Sequence, residues 1–370
     1  MQFIDLKKQY ETLKSEMDAA VLKVLDDGRY IGGQEVGELS NRLREYVGVK
    51  HCLTCANGTD ALTLALRCIG VGEGDAVFVP DFTFFATAET IALEKATPIF
   101  VDIEERTFNL CADSLERAIS AVKKEGKLRP RAVIAVDLFG QPANYPAIRK
   151  VTDKYGLKLI EDGAQGFGGS IGNAKACSFG DISTTSFFPA KPLGCYGDGG
   201  AVFTDDSGYF ELMQSLAVHG KGADKYDNVR VGYNSRLDTV QAAVLLVKLG
   251  AFEKYELSAR NRAADKYTGA LADKYVVPSV PEGFVSSWAQ YTLTLRSEEE
   301  RNNLKLILKD KDIPCMVYYP VPMHSETAFK GCTLYDGLVN SKSLCKRVLS
   351  IPMHPYLDDE TINRVVGALL

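Results

Sequence analysis

The sequence predicts an α/β protein: a large domain built on a mostly parallel, seven-stranded sheet covered by helices, with a smaller α+β domain after it. Three observations predict this. From about residue 50 to 205, short β-rich runs alternate with helical patterns, as expected when crossover helices join neighbouring parallel strands. Past residue 250 the texture changes to loops marked by Pro278, Pro281 and Gly283, followed by a strand–helix–strand pattern. Finally, 370 residues suffice to bury about three quarters of the unfolded surface, so no disulfide or structural metal is required.

The elements follow in order. Leu6, Tyr10, Leu13, Met17, Ala20 and Val24 recur at spacings of three and four, predicting an amphipathic helix that packs on the protein's own core. Gly28, Gly32 and Gly33 break it in a loop around Tyr30, so residues 1–35 form an N-terminal helical segment. Strands are expected at 51–55, 76–80, 98–102, 132–138, 157–162, 182–187 and 201–204, with helices at 60–68, 86–94, 114–123 and 145–155. Helices at 237–249 and 251–271 lead into the second domain, where a strand (289–295), a helix (298–311) and a strand (314–319) are expected. The division is therefore 1–250 and 251–370.

Charge and cysteine usage narrow the function. With 43 basic and 48 acidic side chains the net charge is −5, against the basic field of a nucleic-acid binder. Nine cysteines scattered through apolar segments fit a reducing, cytoplasmic setting. The opening Met-Gln-Phe-Ile-Asp-Leu-Lys-Lys lacks the apolar run of a signal peptide, and no stretch of about eighteen apolar residues suggests a membrane span. Cys52 and Cys55 have redox-pair spacing but sit on an expected strand, where residues three apart face opposite sides. The four histidines show no metal-ligand spacing, so no metal is expected, and His219 before Gly220 reads as a helix C-terminal residue.

Several segments carry groups suited to an anionic cofactor. Asn57-Gly58-Thr59-Asp60 follows a strand and opens a helix, where free N–H groups and the helix dipole favour a phosphate; a plain helix cap is the simpler alternative. Glu161-Asp162 ends an apolar strand, placing a carboxylate where it could keep a pyridine nitrogen protonated, with Gln165 three residues on as a donor to a ring oxygen. Solvated loop acids are the alternative there. The segment Ser186-Phe187-Phe188-Pro189-Ala190-Lys191-Pro192-Leu193-Gly194 sets a lysine between prolines that fix its backbone, ahead of Gly197, Gly199 and Gly200. A lysine nucleophile must be desolvated to work as the free amine; a buried turn with a snorkelling lysine is the bland reading. Ser186 could bond a phosphate, an aromatic of the 81–87 segment could stack on a flat ring, and Arg236 could fork onto a diphosphate or carboxylate, or pair with Asp238.

Taken in order, Asn57–Asp60, Thr83–Thr87, Glu161-Asp162 with Gln165, 186–191 with Gly197-Asp198-Gly199-Gly200, and 232–236 with Gln241-Ala242-Ala243 resemble the DegT/DnrJ/EryC1/StrS family of sugar aminotransferases. The resemblance runs from Phe3 to Leu357 and is most specific over 186–200. It implies the type I aminotransferase fold, pyridoxal 5′-phosphate (PLP) as cofactor, and a homodimer with shared active sites. By matching position, Lys191 would be the Schiff-base lysine and Asp162 the partner of the pyridinium nitrogen. Phe84 would stack on the ring and Gln165 contact its hydroxyl. Gly58, Thr59 and Ser186 would hold the phosphate, with Asn234 of the neighbouring subunit.

The implied reaction passes the amino group of glutamate to a nucleotide-linked keto-sugar, with Lys191 moving the proton. Within the family the sequence is most similar to members acting at C-3 of UDP-2-acetamido-2-deoxy-3-oxo-glucuronate, on the route to bacterial surface polysaccharide such as lipopolysaccharide O-antigen. Gly28, Tyr30, Arg236 and Tyr319 match substrate-contacting positions there. Ala190 replaces a serine and Tyr318 a histidine of that subgroup, both where the sugar should bind. A dTDP- or GDP-linked keto-sugar, aminated at C-3 or C-4, is the alternative substrate, and a non-catalytic regulatory homologue the remote alternative.

Overall fold

In the computed structural model, which describes residues 1–224 and 226–370, the first apolar stripe becomes α1 (Leu6–Asp27). Asp5 caps its start by accepting from Lys8 N, and Gly28 ends it at a φ of 65°. α2 (Gln34–Val47) follows, where the sequence suggested no element. Its buried Leu39, Leu43 and Val47 recur every fourth residue, but charged neighbours dilute the pattern.

The large sheet then builds up through β1 (His51–Cys55), α3 (Gly58–Cys68), β2 (Asp75–Pro80), α4 (Phe85–Leu93), β3 (Thr97–Val101), α5 (Ala112–Glu125), β4 (Arg129–Val136), α6 (Tyr145–Tyr155) and β5 (Lys158–Asp162). Two short strands, β6 (Ser170–Ile171) and β7 (Ala174–Lys175), precede β8 (Ile182–Ser186), β9 (Gly200–Thr204) and α7 (Ser207–Ala217). The seven-stranded order is β1-β9-β8-β5-β4-β2-β3. β9 alone runs against the others, pairing antiparallel with β1 and β8. The expected seven strands are these seven, and the sheet is mostly parallel as expected.

Because β-strand side chains alternate, each strand feeds two cores. Val77, Val79, Ile134 and Ile160 face α3, α4 and α7, while Phe78, Val133 and Leu159 face α5 and α6. Cys52 and Cys55 illustrate the rule: they lie in different core clusters on opposite faces of β1, as free thiols.

α8 (Thr239–Ala251) continues through a π-turn, Phe252–Glu256, into α9 (Leu257–Leu271), so residue 250 lies inside a helix rather than at a break. Met17 of α1 packs with Ala242, Leu245 and Leu249 of α8, on the protein's own core as expected. The C-terminal part comprises β10 (Phe284–Val285), β11 (Tyr291–Thr294), α10 (Glu298–Asp310), α11 (Val339–Arg347), β12 (Val348–Ile351) and α12 (Asp359–Leu369). It has a core of its own around Tyr267, Tyr291, Leu308 and Leu349.

One expectation fails here. Residues 314–319 are not a strand: β12 takes the place beside β11, and Met316 makes a lone bridge to Ser350. Pro314 has no N–H for a ladder, and the chain beyond Met316 leaves the sheet to carry Tyr318 and Tyr319 toward the large domain.

Candidate active site

Five strands of common direction end at one edge of the sheet, and the segments leaving them carry the candidate residues, as the crevice rule for open α/β sheets anticipates. β1 leads to Gly58, β2 to Phe84, β5 to Asp162 and Gln165, and β8 to Ser186 and Lys191, while β4 leads to Phe139, not a candidate from the sequence, whose N–H meets Gln165.

Asp162 and Glu161 are both buried, so neither is a solvated loop acid. Consecutive strand residues point apart, and the two carboxylates have different work. Glu161 is absorbed by backbone N–H groups of Cys177 and Phe179 and by the Ser183 hydroxyl. Asp162 accepts from the Thr87 hydroxyl at 2.9 Å and from Ala164 N at 3.2 Å. Burial pushes its carboxyl above the usual range; the Thr87 hydroxyl, the Ala164 N–H and the charge of Lys191 pull it back. The opposite holds for Lys191, whose amine burial pushes below its ordinary value while Asp162 counteracts. Desolvation thus weakens both charges, and each lies within the field of the other, the environment a nucleophilic lysine needs.

Gly58, Thr59 and Ser186 come together at the start of α3. Asn57 caps that helix through Asp60 N at 2.7 Å, leaving the N–H groups of its first residues directed at the cleft. A Cβ added to Gly58 would stand 2.7 Å from Ser186 Cβ, so glycine is what lets the helix start approach Ser186. Ser186 Oγ accepts from Phe188 N at 3.2 Å, which leaves its own hydrogen free to donate.

Phe84 is 54% exposed, and Tyr319 approaches its ring at 6.3 Å between centroids. Gln165 is buried, accepting from Phe139 N at 2.7 Å and donating to the Tyr319 hydroxyl at 3.2 Å. Burial raises the Tyr319 phenol, and Tyr318 packs edge-on against it at 5.8 Å. Ala190 is half-buried beside Lys191.

The other candidates form a second group. Tyr30 O accepts from Thr239 N at 2.9 Å, pinning the Gly28–Gly33 loop to the start of α8. Exposed Arg236 donates to Asn234 Oδ1 through Nε at 3.1 Å and Nη2 at 2.6 Å, rather than pairing with Asp238. Among the described residues, no hydrogen bond joins Tyr30, Asn234 or Arg236 to Lys191 or Asp162. His219 stands two residues past the end of α7, its N–H donating to Tyr233 O at 2.7 Å.

Two contacts went unread in the sequence. Thr87, one turn into α4, orients Asp162; only its three-residue spacing from Phe84 hinted at this. Asp81, at the end of β2, receives His324 N at 2.8 Å and His324 Nδ1 at 2.7 Å, tying the C-terminal part to the strand edge across 243 residues. No local pattern announces such a pair.

The residues fit PLP. A helix start and a hydroxyl suit its phosphate, a half-exposed phenylalanine its ring face, a buried carboxylate its protonated ring nitrogen, and a desolvated lysine its aldehyde. Fold and site together define a PLP-dependent aminotransferase of fold type I.

Comparison with known proteins adds the family. The model of the DegT/DnrJ/EryC1/StrS aminotransferase family matches residues 11–370, and the chain belongs to this family. It is 43% identical to the UDP-2-acetamido-2-deoxy-3-oxo-D-glucuronate aminotransferase of Pseudomonas aeruginosa, over 100% of this chain and 99% of that one. It is 38% identical to the UDP-N-acetyl-3-dehydro-alpha-D-glucosamine 3-aminotransferase of Acidithiobacillus ferrooxidans, over 99% and 96%. A family aminotransferase from Brucella abortus superposes with a TM-score of 0.97 at 49% identity, over 100% of this chain and 98% of that one. NtdA of Bacillus subtilis, solved with its bound cofactor PMP, superposes with a TM-score of 0.90 at 26% identity, over 100% and 84%.

Proposed function

We propose that this enzyme transfers the amino group of glutamate to C-3 of a UDP-linked 2-acetamido-3-oxo sugar, a uronate or the parent hexose. The observation that carries the chemistry is the gathering, at the ends of β1, β5 and β8, of the Gly58–Ser186 cradle, the buried Asp162 carboxylate and the Lys191 amine that lies in its field. The substrate reading is supported by the two relatives whose names specify a UDP-linked 3-oxo sugar and by their near-complete coverage.

PLP, when bound, supplies an aldehyde to receive the amino group and a ring that takes up electron density from the reacting carbon. The chain's residues do the rest. The N–H groups of Gly58 and Thr59 and the Ser186 hydroxyl anchor the phosphate. The Phe84 ring covers one face and Gln165 reaches the ring hydroxyl. Asp162 keeps the ring nitrogen protonated. Lys191, whose amine desolvation holds below its ordinary pKa, takes and returns the proton at the reacting carbon. Tyr318, Tyr319 and Ala190 line the sugar side.

Gly28, Tyr30, Asn234 and Arg236 belong to a separate, largely exposed group. We take them to serve the site of a second copy, Asn234 at the phosphate and the others at the sugar nucleotide, in a homodimer with shared sites. Residues 1–250 act as the cofactor-binding domain and 251–370 as the smaller domain closing over it. No described helix is long and apolar enough to cross a membrane. A cytoplasmic role supplying amino-sugars for surface polysaccharide fits a nucleotide-sugar substrate. Incubating the protein with glutamate and UDP-, dTDP- and GDP-linked keto-sugars, with product position read by NMR, tests the proposal. Amination of only a dTDP- or GDP-sugar overturns the UDP assignment.

A further inference from the structure

We propose that Lys248 and Gln241 are positioning residues for Lys191: their hold on the backbone of residues 194–196 sets where the Lys191 amine stands. The inference rests on the reading of Lys191 as the reacting amine.

Lys248 is 1% exposed, so its side chain has surrendered its water, a cost that an aliphatic residue in the same space would avoid. What lysine adds is a donor. Its Nζ lies 2.7 Å from Gly194 O and 4.3 Å from the centroid of the Tyr196 ring. Burial pulls its pKa down to about 8, against the field of Glu256. Glu256 itself is engaged by Gln9 Nε2 at 2.9 Å and by the Tyr356 hydroxyl at 2.6 Å.

Gln241 lies seven residues earlier on the same helix, two turns away and so on the same face. Its Oε1 accepts from Tyr196 N at 2.8 Å and its Nε2 donates to Tyr196 O at 3.3 Å. One face of α8 therefore grips three backbone groups of the loop that follows Lys191. The loop needs the grip, because Pro189 and Pro192 give it no N–H. Its own ties include Lys191 N to Phe188 O at 2.8 Å and Cys195 N to Phe187 O at 2.7 Å. Gly194 is where the loop crosses itself: a Cβ there would stand 2.5 Å from Pro189 O and 2.6 Å from Phe188 O. Any shift of Gly194 thus reaches the backbone two residues before Lys191.

The test uses full-length Lys248→Met, Lys248→Arg and Gln241→Ala. Amide hydrogen exchange is followed over residues 187–197, without and with PLP, together with the pH midpoint of the bound-PLP absorbance and the split between kcat and KM. Lys248→Met and Gln241→Ala are expected to speed exchange in that segment about tenfold while α3 and β5 exchange as in the wild type. The absorbance midpoint should move, and kcat should fall on the order of tenfold or more with KM for the sugar unchanged. Lys248→Arg, which keeps a donor, should recover most of both. Wild-type exchange and an unmoved midpoint in both donor-removing variants overturn the proposal. Should Lys248→Met not fold, Gln241→Ala decides by the same readouts. Failure of borohydride to fix PLP on Lys191 in the wild type overturns instead the underlying reading of Lys191.

Discussion

Thr87 donates its hydroxyl to Asp162 Oδ2 at 2.9 Å, and this bond, with Ala164 N on the other oxygen, fixes the plane of the buried carboxylate. Removing the carboxylate in Asp162→Ala should lower the rate of the glutamate half-reaction about 10³-fold, since a preorganised charge in a dry site is lost. Thr87→Val leaves the charge but frees its orientation and should cost about tenfold, the worth of one hydrogen bond to a charged group. Stopped-flow absorbance of the bound PLP measures both.

The cradle at the start of α3 makes a steric prediction. Gly58→Val puts carbon where Ser186 Cβ lies 2.7 Å from the nearest added atom, so the phosphate subsite is forced open. The Kd for PLP should rise about 100-fold, in line with 1–3 kcal/mol of overpacking. Fluorescence titration reads this, and an unchanged far-UV circular dichroism spectrum separates it from misfolding.

His324 and Asp81 link the C-terminal part to β2. Burial pushes the Asp81 carboxyl up to about 6, with His324 drawing it down. His324→Ala strands that carboxylate, which can take up a proton. The expected loss is therefore about 2 kcal/mol at pH 7, below the usual cost of breaking a buried pair. Urea unfolding of the variant checks it. Because Tyr319 packs edge-on against Phe82 at 6.0 Å, next to Asp81 in the chain, KM for the sugar should rise as well.

His354 predicts an acid limit. Burial, with Arg260 adding to it, pulls its pKa from the usual 6.5 to about 4. A folded-state pKa below the unfolded one means stability that is fully present above pH 6.5 and lost as pH falls toward 4. The loss approaches about 3 kcal/mol if the full shift is expressed. His354→Gln should flatten the dependence of unfolding free energy on pH across that window and leave pH 8 behaviour close to its own plateau.

The sheet was legible because its strands are buried on both faces, so runs such as 76–80 and 132–136 stand out as apolar blocks between turn residues. α2 and α11 were not, because their buried positions are few and their exposed faces strongly polar. The 314–319 segment reads as a strand locally, yet only Met316 pairs, with Ser350, while β12, which the sequence reading did not single out, fills the place beside β11. At the site, Lys191, Asp162 and Gly58 announced themselves through prolines, a strand end and a helix start. Thr87, His324 and Lys248 act through partners 75, 243 and 54 residues away. Such long-range pairings leave no local spacing to read.

The most direct test of the account is to add PLP to the purified protein, reduce with borohydride and map the modified peptide by mass spectrometry. A yellow protein carrying one phosphopyridoxyl label, on Lys191, is expected. Stable label on another lysine, or a protein that stays colourless and unlabelled, would contradict it.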